Sequence, residues 1–291
     1  MDMKSVAIAL LVVFIWGVNF SAIKLGLEQL PPFLFSGMRF LICAVPAVFF
    51  VPFPKTPVYH VILVGLFLGV MKFSLLFIAM QSDASAGISS LLLQAQVIFT
   101  VILSVLLFRE RLNGFQLLGI IIACSGFSLF FVTSGGGATL FGVVLLLGAA
   151  VFWSVANIVI KYAGKVNLLH FMVWVSLIPP VPLFALSYLY ESNAPITLLL
   201  AMTEQAWLSL MYVGYISTLV AFALWGWLMV NYPSASVAPF ALLIPVVGVI
   251  GANLLLGEQL NKVELIGGGI ILVGLSISVL GKTTFSKAYT K

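Results

Sequence analysis

The sequence predicts an all-α integral membrane protein of ten transmembrane helices in two inverted five-helix repeats. Three observations carry that expectation: a composition 63% hydrophobic and only 7% charged, ten apolar runs of spanning length, and a second half that echoes the first. A soluble domain carries about a quarter of its residues as charges. With 13 Lys+Arg and 8 Asp+Glu in 291 residues, a cytosolic enzyme, a nucleic-acid binder and a secreted disulfide scaffold are excluded. Cys43 and Cys124 lie inside apolar runs with no CxxC neighbour, and read as small buried thiols.

A helix needs about 20 apolar residues to cross a hydrocarbon core of about 30 Å. Runs of that length fall at Ser5–Gly26, Phe33–Val51, Tyr59–Met80, Ala84–Phe108, Leu112–Val132, Leu140–Tyr162, Leu168–Tyr190, Ala206–Val230, Ser234–Leu256 and Val263–Leu280. The first follows Met1-Asp2-Met3-Lys4 as a signal peptide would. It is too long for an h-region and holds Trp16, Asn19 and Lys24, so it reads as an uncleaved helix. Orientation follows from basic residues in short loops. A cytoplasmic N-terminus puts Lys4, Lys55, Arg109, Arg111, Lys161, Lys165, Lys282, Lys287 and Lys291 inside, against Lys262 and Lys24 outside. Both termini are then cytoplasmic, and Glu28, Asp83, Glu191, Glu204, Glu258 and Glu264 fall on the outer side.

The halves match residue by residue. Leu106-Leu107 recurs as Leu254-Leu255, Glu110 as Glu258, Leu112-Asn113 as Leu260-Asn261, Gly119 as Gly267, and Gly126 as Gly274. Nearer the start, Trp16, Val18 and Lys24 recur as Trp153, Val155 and Lys161. The expected division is 1–135 for the first repeat, 138–281 for the second and 282–291 for a cytoplasmic tail. Five helices per copy, an odd number, reverse the second copy in the membrane. That symmetry lets one midplane site open to either side in turn, and favours a transporter over a channel, an enzyme or a scaffold.

Each copy carries a Glu before a Gly-bearing last helix, in Phe108-Arg109-Glu110-Arg111-Leu112 and Leu256-Gly257-Glu258-Gln259-Leu260. This pattern resembles the EamA domain of the drug/metabolite transporter superfamily, over nearly the whole chain. Trp16-Gly17-Val18-Asn19-Phe20, Gly37-Met38-Arg39-Phe40, Leu93-Gln94-Ala95-Gln96 and Val237-Ala238-Pro239 with Ile244-Pro245-Val246 are similar to segments of bacterial inner-membrane exporters of O-acetylserine and cysteine. The resemblance implies amino-acid export across a bacterial inner membrane. The expected partners are a small-molecule substrate and the lipid bilayer, with no nucleic acid, no cofactor and no metal; the expected state is a monomer or weak homodimer.

Polar side chains inside the spans mark candidate binding residues, because a Lys or Arg at a helix centre costs about 2.5–3.5 kcal/mol on insertion scales. Lys24, Arg39 and Lys72 qualify, and no Asp or Glu lies well inside any span. Lys24 can pair with Glu28 four residues on. Arg39 either binds substrate or caps carbonyls exposed at a helix break. Lys72 lies about 16 Å along a helix from Asp83, so a substrate carboxylate accounts for it better than any nearby residue. Trp153, Asn157 and Lys161 share one helix face, Trp16 and Asn19 occupy the corresponding place in the first copy, and Gln96, Thr100 and Ser104 form another stripe. Gln94 points away from Gln96 on a continuous helix. Gln96 is therefore assigned to the cavity and Gln94 to an interhelical hydrogen bond.

Pro46, Pro179-Pro180-Val181-Pro182, Pro239 and Pro245 fall within spans and are expected to kink them, with Pro239 and Pro245 as structural or gating positions. Gly267-Gly268-Gly269 and Gly274 are expected to serve close packing. The alternative to amino-acid export is exchange of anionic metabolites such as phosphate esters or nucleotide sugars. A membrane enzyme would need paired carboxylates, which Asp2 and Asp83 do not supply, and no P-loop for ATP is present. His60 and His170 lack metal-ligand spacing and read as interfacial.

Overall fold

The computed structural model describes residues 1–109, 112–132, 136–192 and 194–286. Each expected apolar run forms a helix of spanning length: α1 (Met3–Leu27), α2 (Pro32–Phe49), α3 (Val58–Asp83), α4 (Ala86–Phe108), α5 (Gly114–Phe131), α6 (Leu140–Ala163), α7 (Leu168–Tyr190), α8 (Glu204–Asn231), α9 (Ala238–Leu256) and α10 (Lys262–Leu280). A short helix, Pro195–Leu200, lies between α7 and α8. Among the described residues there is no strand, only an isolated bridge between Ala84 and Ala138. Large apolar side chains such as Phe14, Leu106, Ile121 and Leu254 are exposed on the bundle surface, as contact with hydrocarbon requires.

Helix starts are fixed by side chains. The Asp2 carboxylate accepts from Ser5 N at 3.0 Å to begin α1, and those hydrogen bonds hold its carboxyl below the ordinary range. At the start of α5, Asn113 Oδ1 accepts from Gln116 N at 2.8 Å while Gln116 Oε1 accepts from Asn113 N at 3.1 Å. The start of α10 repeats the device: Asn261 Oδ1 accepts from Glu264 N at 2.9 Å and Glu264 Oε2 from Asn261 N at 2.8 Å. The Asn matched between the halves is thus the N-cap of a reciprocal capping box. The matched Glu110 lies outside the described residues, as do Arg111, Lys287 and Lys291.

Corresponding helices run in opposite directions. Lys24, near the end of α1, bonds carbonyls at the end of α3, and α6 starts at that same end, where Thr139 N donates to Asp83 O at 2.8 Å and Ser85 N to Gly137 O at 2.7 Å. Pairings are also exchanged between halves. The first helix, α1, packs on α8 and α9 as α6 packs on α3 and α4, while α2 meets α7, α4 meets α9 and α5 meets α10. Such a pattern is what an inverted repeat requires.

Several helices are broken. After Pro46, α2 tightens to a 3₁₀ turn at Ala47–Phe49; α4 breaks between Leu92 and Ala95; α7 stops at Val175 and resumes at Pro180. The final interrupted helix, α9, begins as 3₁₀ turns, Ala238–Leu243, around Pro239. It turns α-helical at Ile244, with Pro245 in a first turn that needs no N–H from it. Widened π-helical turns occupy Gly65–Lys72 and Ala79–Asp83 in α3 and Tyr212–Val220 in α8, for which the sequence reading had no expectation.

Carboxylates close one end of the bundle. Glu191, after α7, accepts from Phe33 N at 2.6 Å and Leu34 N at 3.1 Å, capping α2. Glu258, after α9, accepts from Ala86 N at 2.9 Å and Gly87 N at 3.1 Å, capping α4. Each carboxylate from the second half satisfies orphan amides of a helix in the first and meets the positive end of its dipole. Gln29 and Thr203 add a further cross-link at this end.

The pair α5 and α10 approaches closely because glycines face backbone. A Cβ on Gly119 would lie 2.5 Å from both Gly274 O and Ser278 N. Gly269, by contrast, faces open space. Gly119→Val is expected to destabilise the protein by about 1–3 kcal/mol through overpacking, while Gly269→Ala leaves stability unchanged or slightly raised; thermal melting of the solubilised variants measures both.

Candidate functional site

Two basic side chains meet in the bundle interior. Arg39 comes from α2, and Lys72 closes the π-helical stretch of α3; each is 4% exposed. Both lie against the Phe73 ring, the Arg39 guanidinium carbon 3.9 Å and Lys72 Nζ 3.3 Å from its centroid. Lys72 Nζ also faces the Trp153 ring of α6 at 4.7 Å. Arg39 Nη2 donates to Thr218 Oγ1 at 3.3 Å, whereas Nε and Nη1 are buried without a partner. Among the described residues, Lys72 makes no hydrogen bond or ion pair.

The electrostatics of this cluster do not balance. Two cations against one ring can be no farther apart than about 7 Å, and at an effective dielectric of ~20 they repel by roughly 2 kcal/mol. Cation–π contacts return about 0.5–2 kcal/mol each, less than burying a charge costs. No described carboxylate helps. Glu191, Glu258 and Glu264 bind backbone amides, Asp83 bonds Ser82 and Thr139, Asp2 bonds Ser5, and Glu28 and Glu204 are exposed.

A neutral polar cluster lies one turn along α6. Asn157 Nδ2 donates to Gln96 Oε1 at 2.8 Å and to Thr100 Oγ1 at 3.3 Å, joining α6 to α4. The interhelical bond expected of Gln94 is therefore made by Gln96. Half-buried Gln94 sits at the break in α4 and makes no side-chain hydrogen bond. The break decides this, because the two glutamines do not share one continuous helix.

Other candidates have separate settings. Trp16 Nε1 donates to Ser217 O at 3.0 Å in the π-helical stretch of α8, and its ring packs on Phe222 and Trp225 at 5.3 and 5.2 Å. Asn19 is buried with Oδ1 unpartnered. Lys24 does not pair with Glu28; its ammonium donates to the Met80 and Ala84 carbonyls, at 3.3 Å for the latter. Carbonyl capping, one role considered for Arg39, thus belongs to Lys24. Lys161 is exposed near the other end of α6, over the Phe108 ring at 3.8 Å. Cys43 is buried as expected, but Cys124 is exposed, because its face of α5 looks away from α10. His60 is buried rather than interfacial, with Nδ1 2.7 Å from Thr56 Oγ1.

Sequence reasoning missed Phe73, which carries both cations, and Thr218, which holds Arg39. An aromatic immediately after a flagged Lys was the available signal for Phe73; nothing marked Thr218. An apolar groove of about 450 Å³ between α1, α8 and α9, lined by Val18, Ala22, Leu208, Tyr212 and Leu255, contains none of the clustered polar residues.

Comparison with known proteins agrees with this architecture. The EamA-like transporter family model matches residues 3–132 and again 140–280. The chain is 38% identical over 288 residues to a "Probable amino-acid metabolite efflux pump" of Escherichia coli K12, covering 97% of this chain and 96% of that protein. It is 39% identical, with the same coverage, to the protein so described in Salmonella typhimurium. An uncharacterized transporter of Bacillus subtilis is 30% identical, over 95% of this chain and 96% of that one. A solved crystal structure shares the fold over 96% of this chain and 98% of its own, with a TM-score of 0.63 at 16% identity. The chain belongs to the EamA-like transporter family.

Proposed function

We propose that this transporter exports small amino acids and related metabolites, of the O-acetylserine and cysteine kind, by alternating access between its two five-helix halves, 1–135 and 138–281. The observation that carries this reading is the pair of buried cations without a carboxylate, set one turn along α6 from the Asn157–Gln96–Thr100 cluster. Lys72 and Arg39 receive the substrate carboxylate, Trp153 bounds the same space, and Gln96, Asn157 and Gln94 offer hydrogen bonds to its polar groups. Trp16 and Asn19 line the approach from α1, while Pro239 and Pro245 supply joints in α9. The relatives described as amino-acid metabolite efflux pumps support the substrate class, and the protein is placed in the bacterial inner membrane with both termini, including the tail 282–291, cytoplasmic.

A second reading is exchange of anionic metabolites such as phosphate esters. Two uncompensated cations favour it, since a single carboxylate neutralises only one. Proteoliposomes distinguish the two: an exporter releases labelled neutral amino acids without a counter-substrate, whereas an exchanger requires one.

Lys72→Met retains much of the apolar stem and removes the charge. Loss of a charge-assisted hydrogen bond worth about 1.5–3 kcal/mol weakens amino-acid binding roughly 10- to 150-fold. The corresponding amide, lacking a carboxylate, is expected to be little affected, and binding assays with both compounds check this. Transport follows the substrate gradient, because no titrating Asp, Glu or His is assigned to the site. A zwitterion carries no net charge, so flux is expected to be insensitive to membrane potential, and an imposed pH gradient drives no accumulation in proteoliposomes. A reporter fused after Lys282 is expected on the cytoplasmic face.

A further inference from the structure

The Arg39–Phe73–Lys72 stack has unused anion-binding capacity before any substrate arrives. Arg39 Nε and Nη1 are buried donors with no acceptor, Lys72 Nζ has no hydrogen bond, and both residues are 4% exposed. Every described carboxylate is committed elsewhere or exposed at a bundle end. An aromatic ring attracts a cation but cannot accept the N–H bonds of two. The charges lie no more than about 7 Å apart, so one small anion bonding at about 3 Å reaches both.

We propose that the substrate-free protein holds a small inorganic anion, chloride in a cell, bridging Lys72 and Arg39 beside Phe73, and that substrate carboxylate and chloride compete for this site. Chloride is favoured over a larger oxyanion because the pocket wall is aromatic: Phe73, Phe40 and Trp153 surround the charges, and Thr218 is the one neutral hydrogen-bonding side chain attached to them. The anion completes the buried charge balance, and its departure accompanies substrate entry. The site is shared with the transport reading, yet chloride binding does not depend on the substrate being an amino acid.

The test uses the full-length purified protein in detergent or nanodiscs. Chloride is titrated against gluconate at constant ionic strength, with thermal melting and ³⁵Cl NMR line broadening as readouts. Saturable stabilisation and broadening by chloride are expected in the wild type, both lost in Lys72→Met. Lys72→Arg, which keeps the charge, is expected to retain them and covers the case in which Lys72→Met does not fold. Equal melting in chloride and gluconate, without NMR broadening, overturns the proposal. So does a chloride effect that persists undiminished in Lys72→Met, since the anion then binds elsewhere.

Competition separates this inference from the transport reading. At chloride equal to its own dissociation constant, the apparent amino-acid constant doubles if the two share a site. Amino-acid binding with no chloride response in either assay overturns the chloride site and leaves the transport reading standing. Saturable, Lys72-dependent chloride binding with no amino-acid binding supports the chloride site and removes the proposed substrate.

Discussion

Hydrocarbon offers no hydrogen bonds, so each backbone group freed by a broken or ending helix in this bundle needs a partner from the protein. The structure meets that constraint mostly with side chains from another helix. Glu191 and Glu258 cap α2 and α4, Lys24 takes the carbonyls where α3 ends, and Trp16 takes a carbonyl freed in the π-helical stretch of α8. Because these partners come from distant parts of the chain, the same bonds that make the breaks tolerable also hold the halves together at one end. Irregular backbone and interdomain cohesion are one feature here.

Against that background the cation cluster stands apart. Elsewhere a charged side chain in the bundle is matched to backbone groups of opposite polarity, whereas Arg39 and Lys72 are matched to an aromatic face and to each other's repulsion. Local imbalance of this kind is costly for folding and useful for binding, because a ligand that supplies the missing charge gains what the protein alone could not. The neighbouring Asn157–Gln96–Thr100 network is internally satisfied in part, and so can trade bonds with a solute at little cost.

Much of the architecture was legible in the sequence because length and hydropathy are local. All ten spans could be read from apolar runs, and the repeat from Asn113 and Asn261, whose identity is dictated by a capping box that acts within a single turn. The site was legible only as a set of suspicious residues. Lys72 and Arg39 stood out by charge, but their meeting on Phe73 depends on the packing of α2 against α3. The roles of Gln94 and Gln96 were exchanged because the break in α4 carries no proline or glycine to announce it. Glu191 was visible as an acid in a loop, while its partners, Phe33 and Leu34, lie in another helix and left no local mark.

The widened turns have a consequence for how such a site changes over time. Each residue of an α-helix advances the side-chain direction by about 100°, and the π-helical stretch Gly65–Lys72 absorbs an extra fraction of a turn just before Phe73. Deleting a single residue within it would restore regular winding and re-aim everything that follows, carrying the aromatic support away from Arg39 without altering the apolar length of the span. A one-codon insertion or deletion thus becomes a discrete switch of lining chemistry, by which related chains can diverge in cargo while their membrane insertion stays the same.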